Sequence, residues 1–340
     1  TIMNLDIFNF SLPKSHIAQS PKNIRSDSKL LVINRKTDEL INEKFENIHE
    51  YFSKNDLLVI NDTKVIPARV FGNRKKTNGK VEIFIERIID EKSFISQMKS
   101  TRKLKLGDII MVGPIELQID SHDTKLCKIV VTNSSVKTLL NKHGDIPLPP
   151  YITRKPNSKD KEYYQTIFAE KDGSVAAPTA ALHFDDRVLQ KIKNKGISIS
   201  NITLHIGMGT FSTIKTQDIE EHKMHSELFC IPQRTLDLIK KCKDNNGRVI
   251  SVGTTVARAL ESFHSNEYEA NKFYETDIFI KPGYDFKIVD SLITNFHLPQ
   301  SSLLIMVAAF YDTERILEAY KYAIKNNYGF FSYGDSTLII

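Results

Sequence analysis

Apolar and polar residues alternate through residues 65–132 as they do in half-buried strands. The runs VIPARVFG, KVEIFIERII, SFISQMK, DIIMVG, IELQID and CKIVV follow one another with no helical period between them. In IELQID, Ile115, Leu117 and Ile119 fall on one face and Glu116, Gln118 and Asp120 on the other, a period of two. Turn signals at Asn78-Gly79, Gly107-Asp108 and Gly113-Pro114 separate the runs at the spacing of a small antiparallel barrel or sandwich.

The pattern differs on either side. LLVIN (30–34) and DLLVIND (56–62) are short continuous apolar runs, as fully buried strands are. Beyond the Pro-rich IPLPPYITRKP, a helix over Asp186–Lys195 ends at Gly196 and precedes the strand ISISNITLHI. Pro232 opens the helix QRTLDLIKKC, followed by strand RVISVG, helix VARALESF, strand DIFI, the run VDSLITNF, and helices SSLLIMVAAF and TERILEAYKYAIK. Alternating β and α predicts an α/β fold, a mostly parallel sheet with helices on both faces. We therefore expect a split α/β domain, residues 1–62 and 150–340, interrupted by an inserted small antiparallel β-barrel, residues 63–149.

Charge sharpens the picture of the insert. The net charge is +6, yet residues 69–105 alone hold eleven Lys/Arg against four acids. A local surplus of that kind suits a polyanion such as RNA, and its plainer reading is a Lys-rich solvated surface. Three widely spaced Cys (Cys127, Cys230, Cys242) with no C-x-x-C pair indicate neither a zinc ribbon nor a disulfide framework, and point to a reduced cytoplasm. The first residues are broken by Asn, Asp and Pro and do not read as a signal peptide, and no run approaches a membrane span.

Candidate chemistry concentrates between Gly173 and Glu227, where GSVAAPTAALHF, TLHIGMGTF and HKMHSE bring four His (His183, His205, His222, His225) among glycines. Core packing would favour Leu or Val there, whereas imidazole can move a proton near neutral pH. The loops GMGTF, GTT and NFHLP (with His297) each follow a predicted strand, where α/β sheets hold ligands. GMGTF (Gly207, Gly209) lacks the third glycine and helix of a dinucleotide fingerprint, and permits either close ligand approach or a tight turn. In VGTTVAR, Thr254 and Thr255 at a helix start can hold a carboxylate or phosphate, or simply cap the helix. Arg258, a turn further on, can pair with an anion or with Glu261. On a helix, His222 and His225 would share a face near Glu227, but H-x-x-H with that offset matches no zinc signature. NDTKVIPAR places Asn61, Asp62 and Arg69 at the presumed domain junction, where pockets form, and is equally readable as an Asx-turn. The tail FFSYGDSTLII is too apolar to fray, so Asp335 is either a structural pin or part of the site.

Taken together, FNFSLPKSHIAQSP (8–21), LLVINDTKVIPARVFG (57–72), KVEIFIE (80–86), YQTIFAEKDGSVAAPTAALHF (164–184), TLHIGMGTF (203–211), HKMHSE (222–227), VGTTVARALES (252–262), IKPGYDFKIVDSLITNFHLPQSSLL (280–304) and SYGD (332–335) resemble the S-adenosylmethionine:tRNA ribosyltransferase-isomerase family of queuosine biosynthesis. Ala181 stands where that family usually has Gly, and Gly329 where an Arg commonly precedes the aromatic pair. The resemblance implies an α/β domain with an inserted β-barrel. It implies transfer and isomerisation of the ribosyl moiety of S-adenosylmethionine onto 7-aminomethyl-7-deazaguanine at a tRNA wobble position, giving epoxyqueuosine, adenine and methionine. It further implies a cytoplasmic enzyme, here expected to be a monomer, with S-adenosylmethionine as co-substrate, no prosthetic group, no metal and no membrane.

Roles follow from the chemistry. A sulfonium acidifies its ribosyl 5′ carbon, so a base is needed, and expelled adenine needs a proton donor. Candidates are His183, His205 and His297, then Glu227, Asp335 and Asp62. Thr254, Thr255 and Arg258 are candidates for the methionine carboxylate, Lys75, Lys76, Arg102 and Lys103 for tRNA phosphates, and Gly207, Gly209, Asn61 and Arg69 for further substrate contacts. Two rivals remain: a metal-dependent hydrolase built on His205, His222, His225 and Glu227, and a non-catalytic RNA-binding protein using the basic barrel.

Overall fold

The structure, a computed structural model, describes residues 3–122, 126–211 and 213–340, without the side chains of His122 and Phe211. A nine-stranded sheet forms the larger body, in the order Phe273–Thr276, Glu227–Cys230, Ser198–His205, Leu57–Asn61, Val249–Val252, Ser291–Asn295, Ser336–Ile339, Lys29–Asn34, Glu39–Lys44. From Ser198–His205 to Ser291–Asn295 the pairing is parallel throughout. Leu57–Asn61, Val249–Val252 and Ser291–Asn295 are buried at every residue, which is why they read as unbroken apolar runs. Antiparallel pairs flank this parallel centre at Glu227–Cys230 and Phe273–Thr276, at the tail strand Ser336–Ile339, and at Glu39–Lys44.

Helices cover both faces. Gln233–Asp244, Thr254–His264, Ser302–Phe310 and Thr313–Lys325 pack their apolar sides into one core, with Val256, Leu260, Leu304 and Ile316 inside it. On the other face, Asp186–Asn194 and the 3-10 segment Phe45–Tyr51 bury Val188, Ile192, Phe45 and Ile48. The expected strand at DIFI is displaced: Phe273–Thr276 forms the edge strand, and DIFI runs on as coil that still buries Ile280. An edge strand exposes alternate residues and unpaired backbone, so its pattern is weak beside that of an apolar coil packed on a core.

The second body is a closed six-stranded antiparallel barrel. Arg69–Arg74, Lys80–Ile88, Ser93–Ser100, Cys127–Val131, Ile115–His122 and Ile109–Val112 follow in order, and the last pairs back onto the first. Closure depends on Gly72, because a Cβ there would lie 2.7 Å from the Met111 carbonyl oxygen. Helix Val136–His143, capped by Ser135 Oγ, closes one end with Val136, Leu139 and Leu140. The two bodies meet where Thr63–Val65 pairs with Lys171–Ser174, where Arg87 donates to Glu275 at 2.7 Å, and where Met208 N donates to Glu86 at 3.2 Å. Among the described residues no helix is long and apolar enough to cross a membrane.

Candidate active site

Three parallel strands deliver their carboxyl ends to one side of the large sheet, and a cavity of about 350 Å³ opens there. Strand Val249–Val252 turns through Gly253 at φ 97°, a conformation that favours glycine, directly into helix Thr254–His264. Neither Thr254 nor Thr255 caps this helix. Gly253 is the N-cap and has no side chain to offer, so the first turn carries no side-chain cap. Both threonines line the cavity, and the buried Thr255 Oγ1 has no hydrogen-bond partner among the described residues. A helix start in that condition is a ready site for a carboxylate.

Strand Ser291–Asn295 and the residues just after it contribute Thr294, Asn295, Phe296 and His297 to the opposite wall. His297 Nε2 lies 2.8 Å from Thr294 Oγ1, while Tyr320 OH accepts from the His297 backbone N–H at 3.1 Å. Nδ1 has no hydrogen bond among the described residues. Burial pushes the imidazole down to about 3, so it is neutral at physiological pH. Tyr151, Tyr164, Phe331 and Ser332 complete an aromatic wall with hydroxyls set into it. The Tyr151 and Ser332 hydroxyls bond each other, and burial raises Tyr151 to about 12.

His183 stands one layer behind. Its Nε2 lies 3.2 Å from Asn295 Oδ1 and its Nδ1 2.8 Å from Ser28 Oγ, while Asn295 Nδ2 donates to the Phe331 carbonyl at 2.7 Å. Burial lowers His183 to about 4, against a partial opposing pull from Asp335. Asp335 itself is saturated by Lys22 Nζ (2.6 Å) and by the backbone N–H groups of Lys29 and Gly329 (both 2.7 Å).

Both imidazoles are held neutral in the fold but titrate near 6.5 once unfolded. The folded values are depressed, so their stabilisation is fully present above about pH 6.5 and is lost as pH falls toward 4 and 3. Urea midpoints should therefore fall steadily between about pH 6.5 and 4.5, before most carboxylates titrate. A flat profile over that window would show that neither ring is kept neutral.

The remaining candidates do not join this cavity. His205 lies at the barrel junction, 2.8 Å from Thr63 Oγ1, stacked on Phe273 and pressed against Gly173, where a Cβ would fall 2.8 Å from the ring. Asp62 is buried and accepts from Thr203 Oγ1 and Asn201 Nδ2, both at 2.6 Å. Asn61 Oδ1 accepts from Thr63 N and Leu204 N while its Nδ2 donates to the Leu204 carbonyl, tying two strands where they diverge. Glu227 pairs with Arg258 in the core, receives the Gly207 N–H at 3.4 Å, and lies 3.3 Å from His225 Nε2. Burial alone would raise its carboxyl, but the Arg258 guanidinium and His225 overcome that and hold it below the usual range. Arg258 is therefore committed to a buried carboxylate and does not line the cavity. Residues 222–226 are coil, so His222 and His225 share no helix face. Gly209 permits the close approach of His225, since a Cβ there would fall 2.2 Å from the ring. On the barrel, Arg69 pairs with Glu82 and Lys75 with Glu116, while Lys76, Arg102 and Lys103 are exposed.

Sequence reasoning did not single out Asn295, Tyr151, Tyr164 or Phe331. Tyr151 lies in the Pro-rich segment read as a boundary, and Phe331 in the tail read as docked. The buried polar Asn at a strand end beside an expected site His was the available signal.

A family profile described as "Queuosine biosynthesis protein" matches residues 5–339. The S-adenosylmethionine:tRNA ribosyltransferase-isomerase of Sulfurihydrogenibium sp. (strain YO3AOP1) is 47% identical over 339 residues, 99% of this chain and 100% of that protein. The enzyme of the same name from Vesicomyosocius okutanii subsp. Calyptogena okutanii (strain HA) is 49% identical over 338 residues, 99% of this chain and 98% of its own. A crystal structure of S-adenosylmethionine tRNA ribosyltransferase from Thermotoga maritima has a TM-score of 0.57 and 29% identity, covering 98% of this chain and 100% of its own. A match that runs from Leu5 to Ile339 takes in both the cavity walls and the barrel, and on it the chain belongs to the S-adenosylmethionine:tRNA ribosyltransferase-isomerase family of queuosine biosynthesis.

Proposed function

We propose that this chain transfers and isomerises the ribosyl moiety of S-adenosylmethionine onto 7-aminomethyl-7-deazaguanine at the wobble position of a tRNA in the cytoplasm. The products are epoxyqueuosine-tRNA, adenine and methionine. The observation that carries the site is the cavity at the strand ends, with an uncapped helix start and a buried Thr255 hydroxyl that has no partner among the described residues on one side and a neutral His297 on the other. Purified protein given S-adenosylmethionine and tRNA carrying the 7-aminomethyl base should release adenine and methionine together. Release that does not depend on the modified tRNA would overturn the assignment.

The parts divide the work. The first turn of Thr254–His264 holds the methionine carboxylate, with Thr255 Oγ1 donating to it. The aromatic wall of Tyr151, Tyr164 and Phe331 accommodates the sulfonium and the adenine ring. His297, the imidazole that lines the cavity and has no hydrogen bond at Nδ1 among the described residues, takes a proton from the acidified ribosyl 5′ carbon. The buried hydroxyls of Tyr151 and Tyr164 stay protonated and supply donors to the departing adenine. His183 acts through Asn295, fixing the side-chain amide that faces the cavity. We divide the chain functionally as residues 1–62 with 150–340 for S-adenosylmethionine and chemistry, and residues 63–149 for tRNA.

Thr255→Val keeps the shape and removes the hydroxyl. It should raise the half-saturating S-adenosylmethionine concentration roughly tenfold, the worth of one hydrogen bond to a charged group, and leave that for tRNA alone. An unchanged donor dependence would move the carboxylate elsewhere. On the barrel, Lys76, Arg102 and Lys103 are exposed and serve as phosphate contacts, whereas Lys75 and Arg69 are partly neutralised by their glutamates. Neutralising the first three should flatten the salt dependence of tRNA binding by about 0.7–0.9 for each phosphate that is no longer paired. A slope that stays the same would mark them as solvated surface.

A further inference from the structure

One outer face of the barrel carries a pattern that barrel stability does not require. Strands Arg69–Arg74, Lys80–Ile88 and Ser93–Ser100 lie side by side, and their register places outward residues in rows. Arg69, Phe84 and Gln97 form one row, Phe71, Glu82 and Lys99 the next, with Asn73 and Lys80 beyond. Phe71 is 52% exposed, between Arg69 and Asn73 on the first of these strands, and the Arg69 guanidinium lies 5.0 Å from its ring centroid. Arg69 Nε also donates to Glu82 at 2.7 Å, so the only acid in these rows is already neutralised. Lys80 and Lys99 are exposed, with no ion pair among the described residues. Phe71, Lys80 and Lys99 line a groove of about 700 Å³ over the strands.

We propose that this face is a stacking platform for single-stranded RNA, occupied by an unpaired segment of the substrate tRNA. A base lies on Phe71, and the phosphates on either side meet Lys80 and Lys99. An exposed π-face flanked by unpaired cations is what a nucleic-acid single strand recognises, because every base can stack and every phosphate is anionic. A purely apolar partner would leave the lysines without counter-charge. The same strand that carries Lys80 brings Glu86 to the Met208 N–H in the GMGTF loop, so platform and main body are joined by six residues of continuous strand, about 20 Å. The platform presupposes the tRNA substrate proposed above.

The test uses the full-length protein and substrate tRNA at fixed salt. Phe71→Ala and Phe71→Leu should each weaken tRNA binding on the order of tenfold, with the kinetic loss falling on KM for tRNA rather than on kcat. Phe71→Trp should bind at least as tightly as the parent, since it restores a stacking face. Leu106→Ala, which truncates a 68% exposed apolar residue elsewhere on the barrel, should change nothing. Parent-like binding by Phe71→Leu, or an equal loss from Leu106→Ala, would overturn the platform. So would a change in the sedimenting mass of Phe71→Ala with tRNA affinity intact, which would assign the face to self-association. Binding is read separately from turnover. If the parent binds tRNA through Phe71 but releases no adenine, the ribosyl-transfer reading fails while the platform stands.

Discussion

Arg258→Ala lowers the stability of the fold by about 3–5 kcal/mol, the usual effect of removing one partner from a buried ion pair. Arg258 and Glu227 are 5% and 3% exposed, so the variant leaves a carboxylate in the core with only the Gly207 N–H and His225 nearby. The same carboxylate organises the GMGTF loop, so activity falls with stability. The damage is to the frame around the cavity, since Arg258 does not line it. Pairing Arg258→Met with Glu227→Leu removes both charges and should recover most of the loss, because apolar replacement of a buried pair is often neutral. Acid sharpens the contrast. Glu227 titrates below its ordinary range when folded, so the pair's stabilisation is complete above about pH 4.3 and is lost as pH falls further. Urea unfolding at neutral pH reads the effect, and a loss under about 1 kcal/mol in Arg258→Ala would mean that the pair is far wetter than its burial implies.

Among the three histidines expected to transfer protons, His297→Asn carries the largest kinetic effect. Only His297 lines the cavity, whereas His183 lies behind Asn295 and His205 at the barrel junction. Asn can keep a hydrogen bond to Thr294 but cannot accept a proton usefully, so adenine release should fall on the order of 100-fold with tRNA binding retained. His205→Asn should reduce release by far less. His183→Asn should act indirectly, through a mobile Asn295 amide, and be partly rescued by a residue that still donates to Asn295 Oδ1, such as Gln. Near-normal single-turnover release from His297→Asn would shift the proton acceptor to another group of the cavity.

What the sequence reveals of the fold and the site divides along a physical line. Local periodicity carried the barrel strands, the helices Asp186–Asn194 and Thr313–Lys325, and the buried runs of the sheet centre, because each expresses its own burial in two or three turns of sequence. Residues such as Thr254 and Thr255 could be placed at a helix start, but their freedom from capping depends on Gly253 holding φ 97°. His183, His205 and His297 all follow or flank strand ends, yet they face three different environments. Side-chain direction depends on where Phe45, Asn295 and Phe273 come from, and those lie 138, 112 and 68 residues away in the chain. DIFI reads as a strand and Phe273–Thr276 does not, because apolar content cannot distinguish a buried coil from an edge. The tail's apolar character did foretell docking. Its place inside the sheet, between Ser291–Asn295 and Lys29–Asn34, had no local signature.

That placement imposes an order on folding during synthesis. Among the described residues the hairpin Lys29–Lys44 pairs with the rest of the large sheet only through Ser336–Ile339, which leaves the ribosome about 300 residues later. At about 5–20 residues per second, the early hairpin waits roughly 15–60 s for its only sheet neighbour. The barrel, built from the contiguous stretch 69–145, can close meanwhile. A nascent chain of this protein thus carries a finished barrel while the strand Lys29–Asn34, with Leu30, Leu31, Val32 and Ile33, remains uncovered on one edge and in need of protection from aggregation.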